Sequence, residues 1–126
     1  MVEMFQSYCR LVHDHSLKKY SPIVQSVILI IDSDLSADLS TQTLARAQSV
    51  SLGYLSAVFR KETGKTVSQF VREKRVNYAK HLLTSTSLQV QTVALHCGIM
   101  DSQYFTKIFK AETGFTPKEF RIKNGK

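Results

Sequence analysis

The sequence predicts an all-α fold, and three observations lead there. Apolar residues recur at helical spacing along nearly the whole chain. Capping residues and glycines punctuate that pattern at short intervals, and no segment alternates like a strand. One phrase also occurs twice: Arg60 to Thr66 reads RKETGKT and Lys110 to Thr116 reads KAETGFT, fifty positions apart and sharing Glu-Thr-Gly-x-Thr.

The elements follow in order. Met1, Met4, Phe5, Tyr8, Leu11 and Val12 lie at helical spacing, so residues 1–20 read as an N-terminal helix. Ser21 can cap a second helix with Pro22 at its first position and a stripe of Ile23, Val27, Ile30 and Ile31. Ser40 caps a short third helix. Ser51 caps a fourth, which Gly64 stops. Thr66 caps a long fifth helix over 67–84, with Val67, Phe70, Val71, Tyr78, Ala79, Leu82 and Leu83 on its apolar side. A short sixth helix closes at Gly98, a seventh runs from Asp101 to Gly114, and Thr116 with Pro117 opens the last.

Setting 51–70 over 101–120 explains the repeat. Tyr54, Phe59, Glu62, Thr63, Gly64, Thr66 and Phe70 meet identical residues at Tyr104, Phe109, Glu112, Thr113, Gly114, Thr116 and Phe120. Each copy reads as short helix, turn, longer helix and glycine stop, the shape of a helix-turn-helix unit. The units span 42–63 and 90–113. The shared letters make a good helix ending and are scaffold. Functional side chains are expected where the copies differ. Tyr54, Leu55, Val58 and Phe59, like Tyr104, Phe105, Ile108 and Phe109, are expected to face the core.

Charge narrows the function. The chain carries 17 basic and 10 acidic side chains, a net +7 over 126 residues. Residues 1–33 hold three of each sign, so the whole excess falls after residue 33. Such a region meets a polyanion. At 43% hydrophobic the chain can bury a core, yet its longest apolar run, Val27 to Ile31, is too short to cross a bilayer. No signal peptide is visible, and two cysteines make no disulfide framework, so a cytoplasmic setting without membrane contact is expected.

Two stretches, TLARAQSVSLGYLSAVFRKETGKTVSQFVREKRVNYAKHLL and VALHCGIMDSQYFTKIFKAETGFTPKEFR, carry a resemblance that runs from about Val24 to Lys123. Over that range the chain resembles the DNA-binding domain of the AraC/XylS family of bacterial transcription regulators. The resemblance implies a DNA-binding domain over 22–123, in which two helix-turn-helix units flank the linker helix and enter adjacent major-groove segments. A linker of that length spans about 27 Å, against about 34 Å between successive groove faces. Residues 1–20 resemble the connector that joins a sensor domain to this one in some members. Such a domain is absent here, so the chain is expected to be a fragment or a minimal regulator.

By that analogy Leu52, Gly53, Ser56 and Ala57 face the groove in the first unit, with Arg60 one turn on. Ser102, Gln103, Thr106 and Lys107 do so in the second, with Lys110 one turn on. Gln suits adenine and Lys suits guanine, whereas Ser and Thr are less selective. Phosphate contacts are expected from the helix N-termini, beginning at Ser51, and from basic residues including Lys61. Arg75, beside the linker's apolar stripe, reads as structural more readily than as a DNA contact.

The expected partners are double-stranded DNA and RNA polymerase, with homodimerisation through the N-terminal helix or a sensor domain. Cys9, His13 and His15 have a spacing that can hold a metal but lack a partner cluster, so neither metal nor cofactor is expected. No phosphate loop, catalytic triad or paired carboxylate points to an enzyme. The alternative function is a protein-interaction module with a basic face and no specific DNA site.

Overall fold

The computed structural model describes residues 17–124. The described residues contain a 3-10 turn, Leu17–Lys19, and seven α-helices: α1 Pro22–Ser33, α2 Thr41–Ala47, α3 Leu52–Thr63, α4 Val67–Ser85, α5 Val90–His96, α6 Ser102–Thr113 and α7 Pro117–Asn124. There is no strand among them, so the fold is all-α. None of these helices is long and apolar enough to cross a membrane. The N-terminal helix expected over 1–20 falls outside the described residues except for the 3-10 turn, as do Cys9, His13 and His15. The chain divides into two compact units, one holding 17–34 and 38–70 and the other 35–37 and 71–124.

In the first unit α1, α2 and α3 pack together. Ser40 starts α2 by accepting the Thr43 amide at 3.2 Å. Asp38 supports that cap, accepting the Ser40 amide at 3.1 Å and the Thr43 hydroxyl at 2.9 Å. Ser21 departs from its expected role. It stands at the N-cap of α1 with Pro22 next, but its hydroxyl is buried and makes no cap bond. Its amide instead donates to Glu62 at 2.7 Å, so a carboxylate from α3 satisfies the start of α1. The buried stripe of α1 is Val24, Val27, Ile28 and Ile31, which shares Val27 and Ile31 with the expected set but has Val24 and Ile28 in place of Ile23 and Ile30. The run from Val27 to Ile31 is apolar on neighbouring lines of the helix, so packing against α3 selects the line.

In the second unit Val76, Leu83, Val93, Cys97, Phe105 and Phe109 form the centre of one core. Two arginines tie chain segments to it through backbone carbonyls. Arg75 donates from Nε to Leu35 O at 3.1 Å and from Nη2 to Ala37 O at 3.0 Å. Arg121 donates from Nε to Leu83 O at 3.0 Å and from Nη2 to Thr86 O at 3.3 Å. A planar guanidinium suits this paired reach. Arg75 is therefore in structural use, on the carbonyls that follow α1. Burial pushes the Cys97 thiol up to about 12, consistent with a small core residue.

The repeated letters build the same corner in both units. Gly64 and Gly114 end α3 and α6 with φ of 78° and 86°. Thr63 Oγ1 lies 2.8 Å from Phe59 O and 3.1 Å from Lys65 O, and accepts the Lys65 amide. Thr113 repeats this with Phe109 O at 2.8 Å and Phe115 O at 3.0 Å, accepting the Phe115 amide. Thr66 and Thr116 then open the next helices by reciprocal bonds with Gln69 and Glu119. Phe70 meets Phe59 edge-on at 5.3 Å, and Phe120 meets Phe109 edge-on at 5.3 Å.

Gly98 combines a φ of 85° with a tight site, where a Cβ would sit 2.3 Å from Leu35 O and 3.1 Å from Arg75 Nε. Gly98→Ala should therefore cost more than about 2 kcal/mol in chemical denaturation. Gly64→Ala, with a φ of 78° but open space, should cost only about 1 kcal/mol. The hydrogen bonds from Ser40 and Thr43 hold the Asp38 carboxyl below its ordinary range. A lowered folded-state value stabilises the fold above the unfolded value and is lost as pH falls through the folded one. Asp38→Asn should thus flatten the acid limb of stability below about pH 4 and leave its shape at neutral pH unchanged.

Candidate nucleic-acid interface

The outward face of each long helix follows from its caps and its buried stripe. Ser51 holds the start of α3 by accepting the Tyr54 amide at 3.1 Å. Asp101 holds the start of α6 by accepting the Gln103 and Tyr104 amides at 2.9 and 3.3 Å. Leu55 and Phe59 turn α3 inward, while Phe105, Ile108 and Phe109 turn α6 inward. At about 100° per residue, Gly53, Ser56, Ala57 and Arg60 share one outward arc of about 100° on α3. Gln103, Thr106, Lys107 and Lys110 share the equivalent arc on α6. Leu52 and Ser102 sit at its edge nearest the core, and Lys61 lies on the far flank.

Exposure agrees with that placement. Ser51, Leu52, Gly53, Ser56, Ala57, Arg60 and Lys61 are exposed, as are Gln103, Lys107 and Lys110. Ser102 and Thr106 are half-buried, and the Thr106 hydroxyl donates to Ser102 O at 2.9 Å. Its proton is committed to the helix, so Thr106 offers a partner only an acceptor. A base donor, adenine N6 or cytosine N4, is what it suits. The second helix therefore presents an amide, a cation and an acceptor where the first presents a hydroxyl, a methyl and bare backbone.

Two aromatic residues depart from expectation. Tyr54 and Tyr104 do not face the core: they are 55% and 51% exposed. Val58 is half-buried, whereas its counterpart Ile108 is buried. The reason is angular. Tyr54 lies about 100° from Leu55 and about 140° from Phe59 around the helix, outside a stripe centred between them. The spacing carries that signal, although side-chain type alone points to the core.

A family model described as a helix-turn-helix domain matches residues 44–123. The chain belongs to the AraC-type family of helix-turn-helix DNA-binding domains. The transcriptional activator RhaR of Enterobacter sp. (strain 638) is 31% identical over 111 residues, which are 88% of this chain and 39% of that protein. Other RhaR proteins match similarly, and this chain spans about a third of the length of these curated relatives, 35% for that of Salmonella dublin. The C-terminal domain of the response regulator AraT from Geobacillus stearothermophilus superposes with a TM-score of 0.84 at 29% identity, covering 86% of this chain and 90% of that one. The C-terminal domain of the response regulator yesN from Fusobacterium nucleatum gives 0.74 at 31% identity, covering 80% of this chain and 99% of that one. The all-α AraC-type fold is thereby matched over most of the chain.

Gly53 sits in the first turn of α3 with an ordinary helical backbone, and nothing lies within 4 Å of a Cβ placed there. The fold gains nothing from glycine here, where alanine would favour the helix by about 0.5 kcal/mol. Close approach of a ligand to the backbone is what a missing side chain permits. Gly53→Ala should raise the thermal midpoint slightly while weakening duplex DNA binding several-fold in fluorescence anisotropy. Equal or tighter binding by the alanine variant would remove the close-approach role.

Proposed function

We propose that this chain is the DNA-binding part of a sequence-specific transcription regulator, with 22–123 as that part, helix-turn-helix units at 42–63 and 90–113, and a linker helix over 67–84. Each unit lays its recognition helix, α3 or α6, in a major groove. The observation that supports this most is the paired outward faces: two helices held by matching corners, each with an exposed basic or polar arc. The helix width, about 10–12 Å with side chains, suits a major groove about 12 Å wide.

Roles follow from chemistry. Gln103 and Lys107 carry direct readout, Gln toward adenine and Lys toward guanine, with Thr106 accepting from a base amine. Leu52 and Ala57 meet thymine methyls, and Gly53 lets the backbone approach. Ser56 adds a weak polar contact. Arg60, Lys61 and Lys110, with the helix starts at Ser51 and Ser102, bind phosphates. RNA polymerase is the protein partner that transcription activation would require, and residues 1–20 are the segment proposed for self-association. The proposed place of action is the cytoplasm.

Selection of a site followed by substitution of every base pair tests the assignment. Gln103→Ala should relax preference at one or two positions by about tenfold in relative affinity, the lower end of a bidentate contact. Arg60→Ala should weaken all sequences alike and lower the salt slope by about one. A wild-type chain that bound no duplex at low salt would overturn the function. Losses larger under the first unit than under the second would reverse the division of labour between them.

A further inference from the structure

Six of the seven letters that the two copies share have a structural task. Phe59 and Phe109 are buried, and Phe70 and Phe120 meet them edge-on. Glu62 accepts the Ser21 amide, and Glu112 pairs with Arg72 at 3.4 Å. Thr63 and Thr113, Gly64 and Gly114, and Thr66 and Thr116 make the corner. The seventh letter, Tyr54 and Tyr104, has none. Both side chains stand more than half exposed, and among the described residues neither phenol makes a hydrogen bond and neither ring a ring contact.

The position of these tyrosines says what they can meet. Each lies on the flank of its helix, about 110° from the centre of the outward arc. A helix that fills the width of a major groove turns its arc to the base edges and its flanks to the sugar–phosphate walls. On the flank of Tyr54, two turns on, stands the exposed Lys61. A phenol hydroxyl donates to a phosphate oxygen, and its ring covers the adjoining deoxyribose. The third position of the helix also keeps the contact near the helix start, where an anion is favoured.

We propose that Tyr54 and Tyr104 are matched anchors on the DNA backbone, one per unit, which set how far each recognition helix enters its groove. This rests on the DNA-binding reading above. Because the anchors are shared and the arcs differ, the two units would dock alike and read differently.

The test compares the wild-type chain with Tyr54→Phe, Tyr104→Phe and the double variant. Each binds a selected duplex and a random-sequence duplex across a salt series, and thermal melting is followed in parallel. Each single variant should melt as the wild type does and lose roughly ten- to fifteenfold in affinity, the lower end for a hydrogen bond to a charged group. The loss should be the same for both duplexes, and the two losses should multiply in the double variant. The salt slope should stay unchanged, because a phenol carries no charge and displaces no counterion. Wild-type affinity in both single variants overturns the proposal, and so does a loss confined to the selected duplex, which would make the tyrosines base readers. Failure of the wild-type chain itself to bind either duplex overturns the DNA-binding reading and this inference with it.

Discussion

The threonine hydroxyl that closes each recognition helix is the contact on which most else depends. Thr63 and Thr113 each hold a carbonyl of the last turn of α3 and α6 and the second amide beyond the helix. Glycine next door supplies the left-handed residue that lets the chain turn. Two residues further on, a second threonine starts the next helix. Four residues thus end one helix, set the angle of exit and begin another. That angle brings Phe70 onto Phe59 and Phe120 onto Phe109. The aromatic pairs fix which side of α3 and α6 is inside, and so which side is left for a partner.

Local chemistry was the legible part. Ser40, Ser51, Thr66, Asp101 and Thr116 act within three residues of themselves, so their roles stand in the letters around them. Gly64, Gly98 and Gly114 are readable for the same reason. Partners far along the chain were not. Nothing near Arg75 announces the carbonyls of Leu35 and Ala37, some forty residues away, and nothing near Ser21 announces Glu62. The stripe of α1 was ambiguous because several neighbouring lines are apolar, and only contact with α3 decides among them. At the interface the outward residues of both helices were legible from period and repeat. Tyr54 and Tyr104 are the exception, because an aromatic in an amphipathic helix suggests core while their angle around the helix leaves them exposed.

Duplication separates two demands that a single helix-turn-helix must reconcile. The corner must be the same whenever the geometry of docking is the same, so its letters recur. Sequence discrimination requires outward residues that differ, because two identical arcs would read one sequence twice. The chain follows this division, with scaffold letters shared and the outward arc changed at every position. Leu52, Gly53, Ser56 and Ala57 face Ser102, Gln103, Thr106 and Lys107 across the alignment.

The character of that change matters as much as its existence. Three donors or acceptors on α6 can tell bases apart by bonding pattern, although the Thr106 proton is already given to Ser102. A methyl, a leucine and a bare glycine on α3 make no such pattern. They suit contact with thymine methyls and shape, where discrimination comes from fit and from the ease of deforming the duplex. On the proposed reading the first unit would bind chiefly by charge, through Arg60 and Lys61, and the second by bonding to base edges. Cations are indifferent to sequence, so on that reading α3 would hold on while α6 sampled bases. A regulator with this asymmetry would search along DNA through its first unit and commit through its second.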